Sequence, residues 1–335
     1  MSSAIPDIAR GIMVIALAAF SASALWGLVF SVKARRGENI FGEIGRASAP
    51  LFYGTFLVFA VSWLLGDLVF FVVKAVAHEG IKIVPLAEFV RNGFTIGRPL
   101  VVILAGIMLL HGFFFLRKEA LFLKYGLFLY FAALMAGVSL LAFTVFTGSL
   151  GGQQLFFVLH NLHPILTLGT VISIDFLYLQ SLRRRELARA IYGFFPNMSA
   201  CIWIGLAVDF FTSLLFFGEA FRISGQFLFV QTAIAVIVLN GALLSGKVNA
   251  GLIASADSGS EKEMGSRFKI IVGLSGSVSA VSWLSIYSLD FLELPFGYPT
   301  LFAWYIMVIA AVFIGHHVMD KNLPWRSAAE PRGGV

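Results

Sequence analysis

The segment from His160 to Asp175, HNLHPILTLGTVISID, holds two imidazoles three residues apart, a proline, two threonines and a carboxylate. The residues on either side, QQLFFVL and FLYLQSL, are almost wholly apolar. An ionisable side chain inside hydrocarbon is costly unless it is paired or hydrated, so each one in such a run marks a candidate site. On an α-helix, His160, His163, Thr167, Thr170 and Ile174 share one face, because steps of three or four residues stay together. Pro164 has no N–H, so the carbonyl of His160 loses its helical partner and the helix is expected to kink. A carbonyl beside two imidazoles makes a polar pocket in the outer half of a membrane. Imidazole ligates copper, iron or zinc. Two histidines at i and i+3 can share one metal ion, or one can be the axial ligand of a haem. They can also donate hydrogen bonds across a helix interface, or relay protons. His78, at the end of the second apolar run, is the outer-side candidate for a further metal or haem ligand.

Other polar residues interrupt apolar runs. Asp67 in LLGDLVFF and Asp209 in GLAVDFFTSL have no charged neighbour in sequence, so each needs a partner on another helix or stays protonated. With Asp175 and Asn240, the latter a strong hydrogen-bonding residue, they are the candidate proton or ion sites. Asp175 lies about 22 Å along the helix from His160, close enough to Arg183, Arg184 and Arg185 to pair with them. His111 and His316 are a candidate cofactor-binding pair towards the inner face. The single cysteine, Cys201, excludes an internal disulfide and a multi-thiolate metal site, and reads as a small buried hydrophobe.

The elements that must position these residues are membrane helices. The chain has 335 residues, 59% of them hydrophobic and only 13% charged, with a mean hydropathy of +0.90. A soluble domain carries about 25% charged residues, so the fold class is all-α, a polytopic transmembrane helical bundle. Runs of roughly 20 apolar residues give nine spans, at 11–32, 50–74, 99–116, 121–147, 153–181, 197–218, 226–246, 269–290 and 297–318, the third being short. The first run is read as a retained helix, because its basic cluster, Lys33, Arg35 and Arg36, follows it. With nine spans, KARRGENIFGEIGR, RKEALFLK, RRRELAR, the stretch from SGK to SRFK and the C-terminal tail share one side. The opposite loops GSLGGQQ, GEAFRISGQ and DFLELPFGYP carry almost no Lys or Arg, while the long outer loop at 75–98 departs from the pattern with Lys82, Arg91 and Arg98; on balance the N-terminus is read as outside and the C-terminus as cytoplasmic. The net charge of +6 therefore reports orientation, not nucleic-acid binding.

The expected organisation is a four-span region at 1–150 with an outer loop at 75–98, a four-helix bundle at 151–295, a terminal span at 296–320 and a disordered cytoplasmic tail at 321–335. Within the outer loop, VPLAEFVRNGF suits a short amphipathic helix lying on the membrane. The linker NAGLIASADSGSEKEMGSR reads as a mobile cytoplasmic loop. In the eighth span Ser275, Ser279, Ser282, Ser285 and Ser288 form a small-residue stripe for close helix packing. Trp203, Trp283 and Trp304 are interface anchors or packing residues.

Residues 155–290 resemble the four-helix membrane bundles of the CopD-like copper-resistance kind and related uncharacterised bacterial membrane proteins. The residues that carry the likeness are His160 followed by Gly169 and Asp175, the basic RRRELARA, then WIGLAVDFF, VLNGALLSGKV and LSGSVSAVSW. The resemblance implies copper handling or haem b, with His160 as the position of interest. It also implies further histidine or methionine ligands, of which only His163 is nearby. Three functions follow as expectations. One is a metal- or haem-binding protein of the bacterial inner membrane, for electron transfer or copper handling. Another is a proton- or ion-coupled carrier using Asp67 and Asp209. The third is a non-catalytic membrane subunit or scaffold that meets a membrane-protein partner or a second copy of itself in the bilayer.

Overall fold

The computed structural model describes the backbone of residues 4–77, 97–117, 119–145, 160, 162–216, 224–258, 266–289 and 296–322. Every element there is a helix, and no strand occurs among the described residues. In chain order these are α1 (Ala4–Arg35), α2 (Asn39–Ala77), α3 (Gly97–Arg117), α4 (Glu119–Val145), a π turn (Ile165–Gly169), α5 (Thr170–Arg183) and α6 (Arg185–Phe216). They continue with α7 (Gly225–Leu243), a second π turn (Leu244–Val248), α8 (Asn249–Ser258), α9 (Ser266–Leu289) and α10 (Tyr298–Asn322). Prolines at 50 and 196 lie inside α2 and α6, a placement that membrane helices tolerate better than soluble ones. Lys33 and Arg35 close the last turn of α1, where positive charge suits the helix dipole. Ser224 caps α7, its hydroxyl accepting the Phe227 N–H at 3.0 Å.

Among the described residues, seven helical stretches are long and apolar enough to cross a membrane: Gly11–Arg35, Asn39–Leu64, Leu162–Arg183, Arg185–Thr212, Gly225–Asp257, Arg267–Leu289 and Tyr298–Gly315. Two shorter apolar stretches, Val101–Phe113 and Tyr125–Leu141, stand where the third and fourth spans were expected. The helices present bulky apolar side chains outwards, Leu109 and Leu239 being 77% and 73% exposed. Such surface suits acyl chains, not water.

Several boundaries differ from expectation. RRRELARA is not a linker, because α5 runs to Arg183 and α6 starts at Arg185, with a break of one residue. The Arg184 N–H still reaches the Gln180 carbonyl at 2.8 Å, so helical bonding almost bridges the break. The first part of NAGLIASADSGSEKEMGSR is helix α8, not a loop. Buried Leu252, one turn after buried Val248 of the second π turn, continues an apolar edge along it, and Arg189 pairs with Asp257 at 2.9 Å. The proposed amphipathic segment of the outer loop and the tail beyond Asn322 lie outside the described residues.

By contacts the chain divides into two compact units. The first comprises Met1–Leu177, Asn197–Phe221 and Asp290–Leu292. Here α1 packs on α2, α4 and the first π turn, and α3 packs on α4. Its core includes Leu17, Phe20, Phe52, Leu104, Tyr130 and Ile165, with the Phe20 and Phe52 rings stacked at 4.9 Å. The second unit comprises Tyr178–Pro196, Arg222–Leu289 and Glu293–Val335. In it α7, α9 and α10 pack together around Phe229, Val281, Leu301 and Tyr305. Neutral groups tie these three helices. The Gln226 amide donates to the Leu289 carbonyl at 2.8 Å, and the Ser282 and Tyr305 hydroxyls meet at 2.6 Å. Ser275, Ser279 and Ser282 of the expected stripe are buried. Trp283 is buried and stacked on Tyr287, whereas Trp203 and Trp304 are exposed.

Candidate functional site

The site is built where the π turn departs from α-helical register. Pro164 has ordinary helical angles, φ −57° and ψ −27°, and the π turn begins at the next residue. A π turn shifts the register of everything after it, so the five residues expected on one face separate. His160 and His163 meet Asp209 of α6, whereas Thr170 meets α1, accepting the Trp26 indole N–H at 3.3 Å. Hydroxyls repair the backbone locally. Thr167 donates to the His163 carbonyl at 2.9 Å, Thr170 to the Ile165 carbonyl at 3.3 Å, and Ser173 to the Gly169 carbonyl at 2.9 Å. The Nδ1 of His163 is hydrogen-bonded to the carbonyl of His160.

Close approach holds the turn in place. A Cβ on Gly169 would lie 2.6 Å from the Ala18 carbonyl oxygen of α1, and one on Gly205 would lie 2.6 Å from Thr167 Cγ2. Only glycine lets both neighbours come this near. Gly205 is one turn before Asp209 on α6, so the same contact that seats the turn brings the carboxylate to the histidines.

Asp209 Oδ1 lies 3.3 Å from His160 Nδ1 and 3.7 Å from His163 Nε2. The two imidazole centroids are 5.1 Å apart. His163 is buried, with His160 and Asp209 partly so. His160 Nδ1 also lies 3.1 Å from Thr212 Oγ1, whose hydroxyl reaches the Val208 carbonyl at 2.7 Å. One donor atom from each of His160, His163 and Asp209 falls within 4.8 Å of the others. An ion with bonds of 2.0–2.2 Å in tetrahedral geometry spaces its ligand atoms about 3.3–3.6 Å apart. The two contacts to Asp209 already have nearly that spacing.

The remaining candidates are placed elsewhere. His111 is fully buried in the first unit, with Nδ1 2.6 Å from the Tyr53 hydroxyl and its ring among Phe52, Tyr53 and Tyr130. His316 is on α10 and Asp67 on α2, but their side chains lie outside the described residues, as does all of His78. Asn240 donates to the Ser275 carbonyl at 2.8 Å and so acts as a bond between α7 and α9. Asp175 is partly buried, and no ion pair among the described residues includes it. Its expected pairing with the arginines is not seen, since even Arg183 is eight residues, about 12 Å of helix, away. Cys201 is partly buried.

Thr212, Tyr53 and Gly205 were not singled out from the sequence. Thr212 carried a usable signal, being three residues from Asp209 and therefore on its face. Tyr53 carried none, as its contact with His111 joins residues 58 apart.

Comparison with known protein families, with curated proteins and with solved structures finds no match to this chain. What defines it is an all-helical fold of membrane-length apolar helices with a two-histidine, one-carboxylate cluster in its first unit.

Proposed function

We propose that this chain is a polytopic protein of a bacterial inner membrane that binds a first-row transition-metal ion at His160, His163 and Asp209. The convergence of the two imidazoles on one carboxylate oxygen, at 3.3 and 3.7 Å, carries this reading. Two imidazole nitrogens and one oxygen are a donor set of borderline hardness, suited to copper, iron or zinc. Copper, whether for electron transfer or copper handling, is the cargo that a CopD-like likeness of residues 155–290 would imply. A haem b on His160 or His163, with His78 as the second ligand, draws on the same histidines but leaves Asp209 without a role. We read nine spans, with the N-terminus outside, because that count puts the basic clusters on one side.

The test is metal binding by the purified full chain in detergent. Elemental analysis after growth in metal-replete medium and titration against a chromophoric chelator should give one ion per chain. Joint replacement of His160 and His163 by Ala should remove it. Absence of both bound metal and a chromophore, with no uptake on titration, would overturn the proposal.

A second reading has its own support. A carboxylate in reach of two imidazoles is also a proton-relay geometry, consistent with a proton- or ion-coupled carrier. In proteoliposomes under a pH gradient, Asp209→Asn should then abolish proton movement. Flux equal to that of the wild type counts against the relay.

A further inference from the structure

We propose that Pro164 is a positioning residue: it sets the tautomer of His163 and thereby presents the Nε2 lone pair of that ring to the ion. This rests on the metal reading above and adds how one ligand is oriented. In a continuing helix the N–H of residue 164 would donate to the carbonyl four residues earlier. Proline has no N–H, so that donor to the His160 carbonyl does not exist. The Nδ1 of His163 takes the acceptor in its place. A carbonyl oxygen only accepts, so Nδ1 must carry the proton, and in a neutral imidazole the lone pair is then on Nε2. Nε2 is the atom that faces Asp209 Oδ1 at 3.7 Å.

Metal-binding histidines commonly donate their second ring N–H to a carbonyl, which fixes the tautomer and ring orientation. Here the acceptor is three residues away in the same helix, and a proline makes it available. The neighbouring hydroxyls do not compete for it, since Thr167, Thr170 and Ser173 donate to the carbonyls of His163, Ile165 and Gly169. The device is therefore local to residues 160–164 and does not depend on another helix.

The experiment compares the wild-type chain with Pro164→Ala, both full length and labelled with 15N-histidine in detergent. Alanine is the better helix residue, so the variant should unfold at a temperature no lower than the wild type. In the metal-free wild type, long-range 1H–15N correlations should show His163 protonated at Nδ1, with Nε2 either bare or sharing a proton with Asp209. In Pro164→Ala the restored N–H takes the His160 carbonyl, and the Nε2–H form of His163 should become populated. Zinc affinity by chelator competition should fall about 10–100-fold, the usual cost of losing an outer partner of a ligand. A wild-type His163 without a proton on Nδ1 overturns the proposal, and so does a variant that keeps both tautomer and affinity. No zinc binding by the wild type overturns the metal reading and the ligand role with it, whereas the tautomer alone decides the part played by Pro164.

Discussion

Among its described residues the first unit holds two histidine environments, and they are solved in different ways. His111 is walled by three aromatic rings and hydrogen-bonded to one neutral hydroxyl, that of Tyr53 on α2. His160 and His163 are less completely enclosed and meet a carboxylate carried in by α6. Burial by itself would select His111. Charge selects the other two, because an Asp among apolar helices has to be matched by a proton or a cation. The groups described around His111 are aromatic rings and a phenol hydroxyl, all of them neutral. Two imidazoles sharing a carboxylate have capacity beyond what packing requires.

Substitutions can break this contrast or sharpen it. The largest effect is expected for Asp209→Asn, which keeps the shape of the side chain and removes the charge. Zinc affinity should fall by about 100-fold or more, at or beyond the upper end of what losing an outer partner costs. Wild-type affinity in chelator competition would erase the distinction between the two environments. Gly205→Ala comes next, since its Cβ would press on Thr167. Overpacking of this kind costs about 1–3 kcal/mol, and both thermal stability and zinc affinity should drop. Adding Thr167→Ser removes the nearest methyl and should restore part of each, and no recovery would argue that the contact is unimportant. Tyr53→Phe tests the other environment. Taking the hydroxyl from buried His111 should destabilise the protein by about 1–2 kcal/mol in denaturant titrations while leaving zinc affinity unchanged. A matching loss of affinity would show that the two environments act as one. The smallest effect is expected for Thr212→Val, worth about 1 kcal/mol. It should weaken zinc binding less than 10-fold in the same competition assay, and a loss as large as that of Asp209→Asn would make Thr212 a ligand.

Much of this arrangement was legible in the chain before any coordinates. The helical class follows from composition, and the histidine pair from its spacing beside Pro164. The isolation of Asp209 in sequence announced that it needed a partner on another segment. Which partner could not be read, because residues 160 and 209 are joined by how two helices pack, and a single sequence does not encode that contact openly. The π turn was hidden for a related reason. Proline marks the loss of one hydrogen bond but not what takes its place, which here is the His163 ring at the His160 carbonyl, with Thr167 and Thr170 bonding the carbonyls of His163 and Ile165 further on. The helix through Asn249–Ser258 was missed because Gly, Ser and Ala read as loop in water, yet the same small residues suit helices that pack among apolar neighbours.

The contacts of α1 with the turn have a consequence for how ions would be told apart. Ala18 abuts Gly169, and Trp26 is hydrogen-bonded to Thr170, so a buried helix braces the segment just behind the histidines. Ligands backed in this way cannot readily spread or contract to suit different guests. Discrimination would then come from ionic radius and preferred coordination number, with poor fits rejected by the stiffness of the frame instead of by closure around the right one.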